Sequence, residues 1–375
     1  MSAIHLFFPQ NDLALARDLA NFTPPPAAWR LAQSGATLPL WYADPGDRFI
    51  CSGVNEEWLR TMQRTFGISV EPFWPPVSEG EIPSPWGWSK AARRAMTLAG
   101  VDAALMPSDA ALARIRELSH RRTASLVAAR LAGRLSCAIP APAAELHSYA
   151  EAEAYVAAHG PVMLKLPWSS SGRGNIPVNA ADLASRRQAI EGGISRYGSI
   201  MAEERLDKTL DFAALFTRTP DGCRFDGFSV FGTTPTGAYT SNILASDAHL
   251  FDIIGAHCPA DQVESAVEAL APILHTALDG YTGPLGVDMM ACRRDGAAAL
   301  APVVEINLRN TMGHVARRFA DRYMHPSATG TLAVAPATPS APRAAWHAFD
   351  GRLTSGTLPL TPPATPFTIT ATINF

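Results

Sequence analysis

Residues 283–318 read GPLGVDMMACRRDGAAALAPVVEINLRNTMGHVARR, and the rest of the chain takes its meaning from them. Two apolar, β-prone runs, Leu285 to Ala291 and Ala299 to Ile306, flank a CRRDG turn. That pattern of period and punctuation predicts a hairpin with one half-buried face. Glu305 and Asn307 lie two apart and so project to one face of a strand, and the hairpin's return can set Asp288 beside them. Two carboxylates and an amide oxygen make an all-oxygen set. Such a set suits Mg2+, which takes a few protein oxygens and leaves its other positions to water and phosphate. Arg309, two residues further on, would keep a cation on the same face. The plain alternative is a solvated hairpin edge whose charges face water.

Upstream, residues 161–177 read PVMLKLPWSSSGRGNIP, an apolar strand carrying Lys165 that empties into a Ser/Gly loop, Ser169-Ser170-Ser171-Gly172-Arg173-Gly174. Backbone N–H groups in such a loop can close over phosphate oxygens, glycine permitting an approach that a Cβ would block. Lys165 would add a point charge for the same phosphates. The loop is not a P-loop, because GxxxxGK[ST] is absent and the lysine comes first, and GxGxxG is missing as well.

Taken in order, a lysine strand with its Ser/Gly loop, a short acidic hinge (Ile200 to Leu206, IMAEERL) and a hairpin ending E-x-N-x-R resemble the ATP-grasp superfamily. The resemblance covers about residues 116–325. It implies an α/β (α+β) protein: an N-terminal α/β pre-ATP-grasp domain over 1–115, then a two-lobed ATP-grasp domain with antiparallel sheets. The lobes would span 116–206 and 207–325, the second carrying the metal hairpin, with a Pro/Ala-rich extension over 326–375.

ATP and Mg2+ are the implied cofactors, with Asp288, Glu305 and Asn307 on the metal. Lys165 and the loop from Ser169 through Ser170, Ser171, Gly172 and Arg173 to Gly174 would hold phosphate. Met201 to Arg205, Glu203 included, would line the adenine, and Glu204 or Asp211 would take a ribose hydroxyl. A first phosphate-binding cation falls on Arg121 or Arg122, which could equally be two arginines on a solvated helix face. The implied reaction joins a small carboxylate to an amine through an acyl phosphate, with Lys165 orienting the γ-phosphoryl group and Arg309 stabilising charge at the reacting oxygens. A kinase on the same scaffold, or a nucleotide-binding regulatory protein with weakened chemistry, are the competing readings.

Composition sets the bounds. At 375 residues and 47% hydrophobic content the chain can bury large cores and suggests two or three domains. A net charge of −3 with scattered Lys and Arg argues against a nucleic-acid or anionic-membrane surface. Five cysteines, widely spaced and without CxxC, indicate neither a disulfide framework nor a zinc site. Together with an opening MSAIHLFFPQND that is no signal peptide, they point to a cytoplasmic protein with reduced thiols. Small-molecule partners are expected, and a homodimer stays open.

Along the chain, Ile4 to Phe8 reads as a buried strand that breaks at Pro9 into a helix-capping turn, Gln10-Asn11-Asp12. Apolar pieces around Leu38 to Tyr42 and Phe49 to Cys51, with helices between them, suggest a small parallel sheet. A short strand is expected at Ala103 to Met106, a cap at Ser119 and a capping box at Ser148-x-x-Glu151. An antiparallel meander follows over Phe212 to Ile243, then helices at Asp261 to Leu278 and Thr311 to Tyr323. The composition of Pro326 to Pro366 suggests loose wrapping, with a final strand from Phe367.

Overall fold

A computed structural model of the chain describes residues 2–169, 174–234, 237–337 and 345–374. It divides into two compact units, each discontinuous in sequence. Met1–Ile115, Thr240–Leu250 and Arg309–Phe375 form the first; Arg116–Tyr239 and Phe251–Leu308 form the second.

The first unit opens with β1 (Ala3–Leu6) and α1 (Asn11–Arg17), then α2 (Pro26–Ser34), α3 (Pro39–Tyr42), β2 (Arg48–Phe49), α4 (Glu56–Phe66) and β3 (Glu71–Pro72). β4 (Ile82–Pro85), α5 (Lys90–Leu98) and α6 (Asp109–Leu118) follow. The strands pair in the order β3-β2-β1-β4, all parallel, because helices return the chain to the starting end between β1, β2 and β3. β2 and β3 build outward from one side of β1, and β4 lies on the other side. The strand order therefore reverses next to β1.

Two local expectations are corrected here. Ala103–Leu105 is a 3₁₀ turn rather than a strand, because the Asp102 carboxylate accepts the Ala104 N–H at 2.9 Å and bends the chain. The apolar piece at Leu38 to Tyr42 is helical. It buries Trp41 completely, and the indole N–H donates to the Leu360 carbonyl at 2.8 Å while Phe66, Phe319 and Tyr323 meet it edge-on.

The stretch read as loosely wrapping carries three strands, β14 (Thr329–Pro336), β15 (Trp346–Phe349) and β16 (Arg352–Pro359), and the expected final strand forms as β17 (Phe367–Asn374). With β11 (Tyr239–Leu244) they run in the order β11-β14-β17-β16-β15. Leu332, Leu358, Ile369 and Ala371 from these strands join α12 (Met312–Tyr323) and α3 in one core.

In the second unit, α7 (Arg122–Ala132) starts one turn after the expected cap at Ser119. β5 (Ala144–Leu146), α8 (Tyr149–His159), β6 (Val162–Lys165), β7 (Asn175–Val178), α9 (Leu183–Tyr197) and β8 (Ile200–Glu204) follow. Four antiparallel strands in the order β5-β8-β6-β7 pack on α8 and α9 through Ala152, Val156, Leu164 and Ile190. Ser148 caps α8 by accepting the Glu151 N–H at 3.1 Å, and Glu151 reaches back one residue further than a standard box, to the His147 N–H at 2.9 Å.

β9 (Asp207–Thr219), β10 (Gly222–Thr233), β12 (Gly283–Arg294) and β13 (Ala297–Asn307) run in the order β13-β12-β9-β10. α11 (Ala260–Ala277) packs on β9, β10 and β13, and α10 (Asp247–Gly255) precedes it. The hairpin turn is Asp295-Gly296 with φ of +51° and +81°, the two positive values that a tight two-residue connection requires. The fold class is thus mixed α/β with antiparallel sheets. Among the described residues no helix is long and apolar enough to cross a membrane.

Candidate active site

In the second unit the hairpin delivers its acids as a register pair. Asp288 on β12 lies directly opposite Glu305 on β13, and Gly286 opposite Asn307, so all three polar side chains share one face. Asn307 Nδ2 donates to Asp288 Oδ2 at 3.1 Å. Pairing breaks between Asp288 and Met290, whose partners are Glu305 and Ala301, so Pro302 to Val304 bulge out of the ladder. Asp211 faces the same way, because Asp288 and Met290 pair with Ala213 and Asp211 across β9. Its carboxylate holds Lys208 Nζ at 2.5 Å and the Thr233 hydroxyl at 2.7 Å.

Arg121 and Arg122 go different ways. Arg122 is half exposed and turns to the His120 ring and to Glu145 at 2.9 Å. Arg121 sits at the N-cap of α7 with its side chain buried. Its Nε donates to the Leu166 carbonyl at 3.0 Å, one Nη to the Ser169 hydroxyl at 3.0 Å, and the other meets Glu305 at 2.8 Å. One guanidinium thus ties the first residue of the Ser/Gly loop to a hairpin carboxylate.

Lys165 ends β6, buried, with its ammonium on the Glu203 carboxylate. Register explains the choice: Lys165 pairs with Met201 and Met163 with Glu203, so Glu203 is the diagonal neighbour on the lysine's face. Glu204 points the other way and meets Arg294 at 3.5 Å. Strand alternation therefore puts the two hinge glutamates on opposite faces.

Past Ser169, residues Ser170, Ser171, Gly172 and Arg173 lie outside the described residues. The loop is closed at its base by the Leu166 N–H donating to the Gly174 carbonyl at 3.1 Å. Gly174 has φ +93°, and a Cβ there would meet Leu166 at 2.9 Å, so only glycine fits.

Between these groups lies a cavity of ≈ 40 Å³ lined by Arg121, Ala124, Lys165, Met201, Glu203 and the 301–304 bulge. That is room for a few waters and not for a nucleotide, and both cations on its wall already hold a carboxylate.

The leg leading into the loop is anchored from behind. Trp168 donates its indole N–H to the Arg116 carbonyl at 3.0 Å, takes the Arg116 guanidinium over its ring, and meets the His120 ring edge-on at 4.6 Å. Burial, and after it the Arg122 guanidinium, pushes the His120 pKa down from 6.5 to about 4. His120 is therefore neutral near pH 7. The stability it contributes is fully present above its unfolded value of 6.5 and is lost as pH falls toward 4. An NMR titration of the ring should give a midpoint of about 4; an ordinary midpoint of 6.5 would contradict this packing.

Arg309 needs a correction. β13 ends at Asn307, so strand alternation does not reach Arg309 and does not place it on the carboxylate face. The unit boundary falls between Leu308 and Arg309. In the first unit, Arg309 forms a fork on Asp12, Nε to Oδ1 at 2.9 Å and Nη2 to Oδ2 at 2.7 Å. Asp12 is accordingly an ion-pair partner inside α1, whose N-cap is Gln10 without a side-chain cap bond. Nothing in the sequence flagged this pair, although an acid just past a strand end is the signal that could have prompted it.

As for donor chemistry, no three His, Cys, Asp or Glu side chains gather among the described residues. Asp288 and Glu305 with the Asn307 amide oxygen, which a flip of the amide supplies, form a set that fits a hard cation. Glu305 first has to leave Arg121.

Neither the family models nor the curated proteins compared with this sequence match it. Solved structures do. The biotin carboxylase of Campylobacter jejuni superposes with a TM-score of 0.52 at 13% identity, over 100% of this chain and 87% of its own. The N5-carboxyaminoimidazole ribonucleotide synthetase of Thermus thermophilus gives a TM-score of 0.47 at 15% identity, over 99% and 93%. Identity at this level speaks to architecture alone. The chain therefore shares its mixed α/β fold with biotin carboxylase, a fold similar to that of the ATP-grasp enzymes.

Proposed function

We propose that the protein is an ATP-dependent ligase that joins a small carboxylate, an amino acid or short peptide, to an amine through an acyl phosphate, releasing ADP and phosphate. The observation that carries this reading is the Arg121 guanidinium, which touches both the first serine of the Ser/Gly loop and Glu305 of the hairpin. The matched biotin carboxylase structure is a complex with β-γ-ATP. ATP is the nucleotide assigned here on that likeness and on the motifs.

In this reading, phosphate oxygens take Arg121 and Lys165 from their carboxylate partners, Glu305 and Glu203. Glu305 exchanges the guanidinium for the metal, and the partly exposed Glu203 turns to the base. Met201 and Glu203 flank the base, and Asp211 takes a sugar hydroxyl after giving up Thr233. Mg2+, held by Asp288, Glu305 and Asn307, would neutralise phosphate charge. The acid's carboxylate oxygen attacks the γ-phosphorus in line, ADP leaves, and the amine then displaces phosphate from the acyl carbon. Arg309 meets the negative charge on the acid as it is activated. The lobes of the ATP-grasp region are assigned to 116–206 and 207–325.

The test is a screen of acids and amines, pairwise, for ATP-dependent phosphate release with mass detection of product. A coupled amide with one phosphate per bond supports the ligase. A stable phosphorylated product without free phosphate would make it a kinase. Lys165→Ala should weaken ATP binding about tenfold, the scale of a lost charged hydrogen bond. Calorimetry showing unchanged affinity would remove Lys165 from the phosphate site.

A further inference from the structure

In the second unit one carboxylate and one guanidinium each face two uses. Glu305 belongs to the hard-cation set and Arg121 faces the phosphate cavity, yet the two lie 2.8 Å apart, their side chains 26% and 8% exposed. Neither can serve its second use while it is held by the other.

The two partners are held unequally. Arg121 is fixed by its other hydrogen bonds, Nε to the Leu166 carbonyl and Nη2 to the Ser169 hydroxyl, both at 3.0 Å. Nη1, the nitrogen nearest Glu305, is buried and has no aligned hydrogen bond among the described residues. Charge holds this pair without the directional bond that makes guanidinium–carboxylate contacts strong. Glu305 is the more exposed member, and it follows the bulge at 302–304 where the ladder to β12 is broken. It is the side that can swing away while Arg121 stays.

Asn307, meanwhile, turns its amide nitrogen to Asp288 Oδ2 at 3.1 Å, whereas a cation needs the oxygen end. With Glu305 on Arg121 the hairpin offers a cation one carboxylate, that of Asp288; with Glu305 released it offers two. A divalent cation and Arg121 are therefore rivals for Glu305, and phosphate oxygens and Glu305 are rivals for Arg121. We propose that Arg121 is a latch that makes the metal site conditional: a polyphosphate anion that takes the guanidinium frees Glu305 for the metal, so nucleotide and divalent cation strengthen each other's binding through the protein. The identity of that anion rests on the ligase reading. Without it, metal affinity is lowered by the share of molecules in which Glu305 is held, and the coupling acts equally in both directions.

The experiment titrates Mn2+ into the full-length protein without nucleotide and follows the bound ion by electron paramagnetic resonance, comparing wild type, Arg121→Gln and Lys165→Gln. Arg121→Gln should bind Mn2+ about tenfold tighter than wild type, the lower end of what a charged contact contributes, although it removes a residue that is no metal ligand. Lys165→Gln should gain far less, since it takes a positive charge from the same cavity wall and leaves Glu305 on Arg121. No gain in Arg121→Gln overturns the proposal. So does an equal gain in Lys165→Gln, which would be the mere loss of a nearby charge.

If Arg121→Gln does not fold, Glu305→Gln beside wild type decides, with and without saturating ADP. Its loss of Mn2+ affinity should be about tenfold with ADP bound and clearly smaller without it; equal losses in the two conditions overturn the latch. Failure here is separable from failure of the ligase reading. ADP binding by calorimetry, in a protein whose Mn2+ affinity Arg121→Gln leaves unchanged, keeps the ligase and removes the latch, whereas a gain in Arg121→Gln by a protein that binds no ADP overturns the ligase reading while the competition for Glu305 stands.

Discussion

Replacing Arg309 by alanine is expected to lower kcat by about 10²-fold or more while Mg-ATP affinity stays near that of the wild type, the scale seen when one preorganised donor to a developing oxyanion is removed. The guanidinium is a donor only and cannot be a metal ligand. Its observed use is to grip a carboxylate with two parallel hydrogen bonds, as it grips Asp12. An acid substrate presents the same group, and its activation adds negative charge to it. Arg309→Lys should recover little, because a point charge cannot copy a planar fork. Alanine also leaves Asp12 without this partner, so the variant's thermal melt must accompany the kinetics. ATP titration beside steady-state phosphate release separates the outcomes: unchanged kcat with weakened ATP binding would make Arg309 a nucleotide contact and take the reading's strongest catalytic residue from it.

The second large effect concerns the hairpin carboxylates, where two variants that look alike should behave differently. Asp288→Asn and Glu305→Gln each remove an anionic oxygen from a hard-cation set, so each should lower turnover about 10²-fold at limiting Mg2+. Only Glu305 also neutralises Arg121. Glu305→Gln should therefore lower the melting temperature as well, because it leaves a buried guanidinium short of its counter-charge, whereas Asp288→Asn should leave it close to wild type. Mn2+ binding followed by electron paramagnetic resonance gives a reading independent of turnover and should weaken in both. Unimpaired metal binding in both variants would defeat the assignment, and equal melts would show that the Arg121 contact contributes nothing to stability.

The hairpin was legible in advance because its information is local. Two period-2 apolar runs around Asp295-Gly296 specify strands, turn and facing at once, and the observed register puts Asp288 opposite Glu305. Strand period does not extend to Arg309: the strand ends at Asn307, and past it the Asn310 N–H donates to the Trp86 carbonyl.

The different partners of Arg121 and Arg122 depend on the helix start, and the facing of Glu203 and Glu204 on the β6–β8 register, neither of which neighbouring residues encode. The strand that pairs with the final one was hidden for a related reason. β14, rich in Thr and Ala, becomes a strand by pairing with β17, a non-local gain that composition does not show. Asp12 belongs to the same class, since its meaning lies in a contact with Arg309, 297 residues away.

The central claim is that the acid is activated as an acyl phosphate, and isotope transfer tests it most directly. The acid identified in the phosphate-release screen is supplied with its carboxylate oxygens labelled with a heavy isotope, together with amine and Mg-ATP, and the released phosphate is analysed by mass spectrometry. The account predicts one labelled oxygen in each phosphate, because the bond broken when the amine attacks leaves an oxygen of the acid on phosphorus. Phosphate carrying no label, with all of the remaining label in the amide product or the unreacted acid, would contradict it.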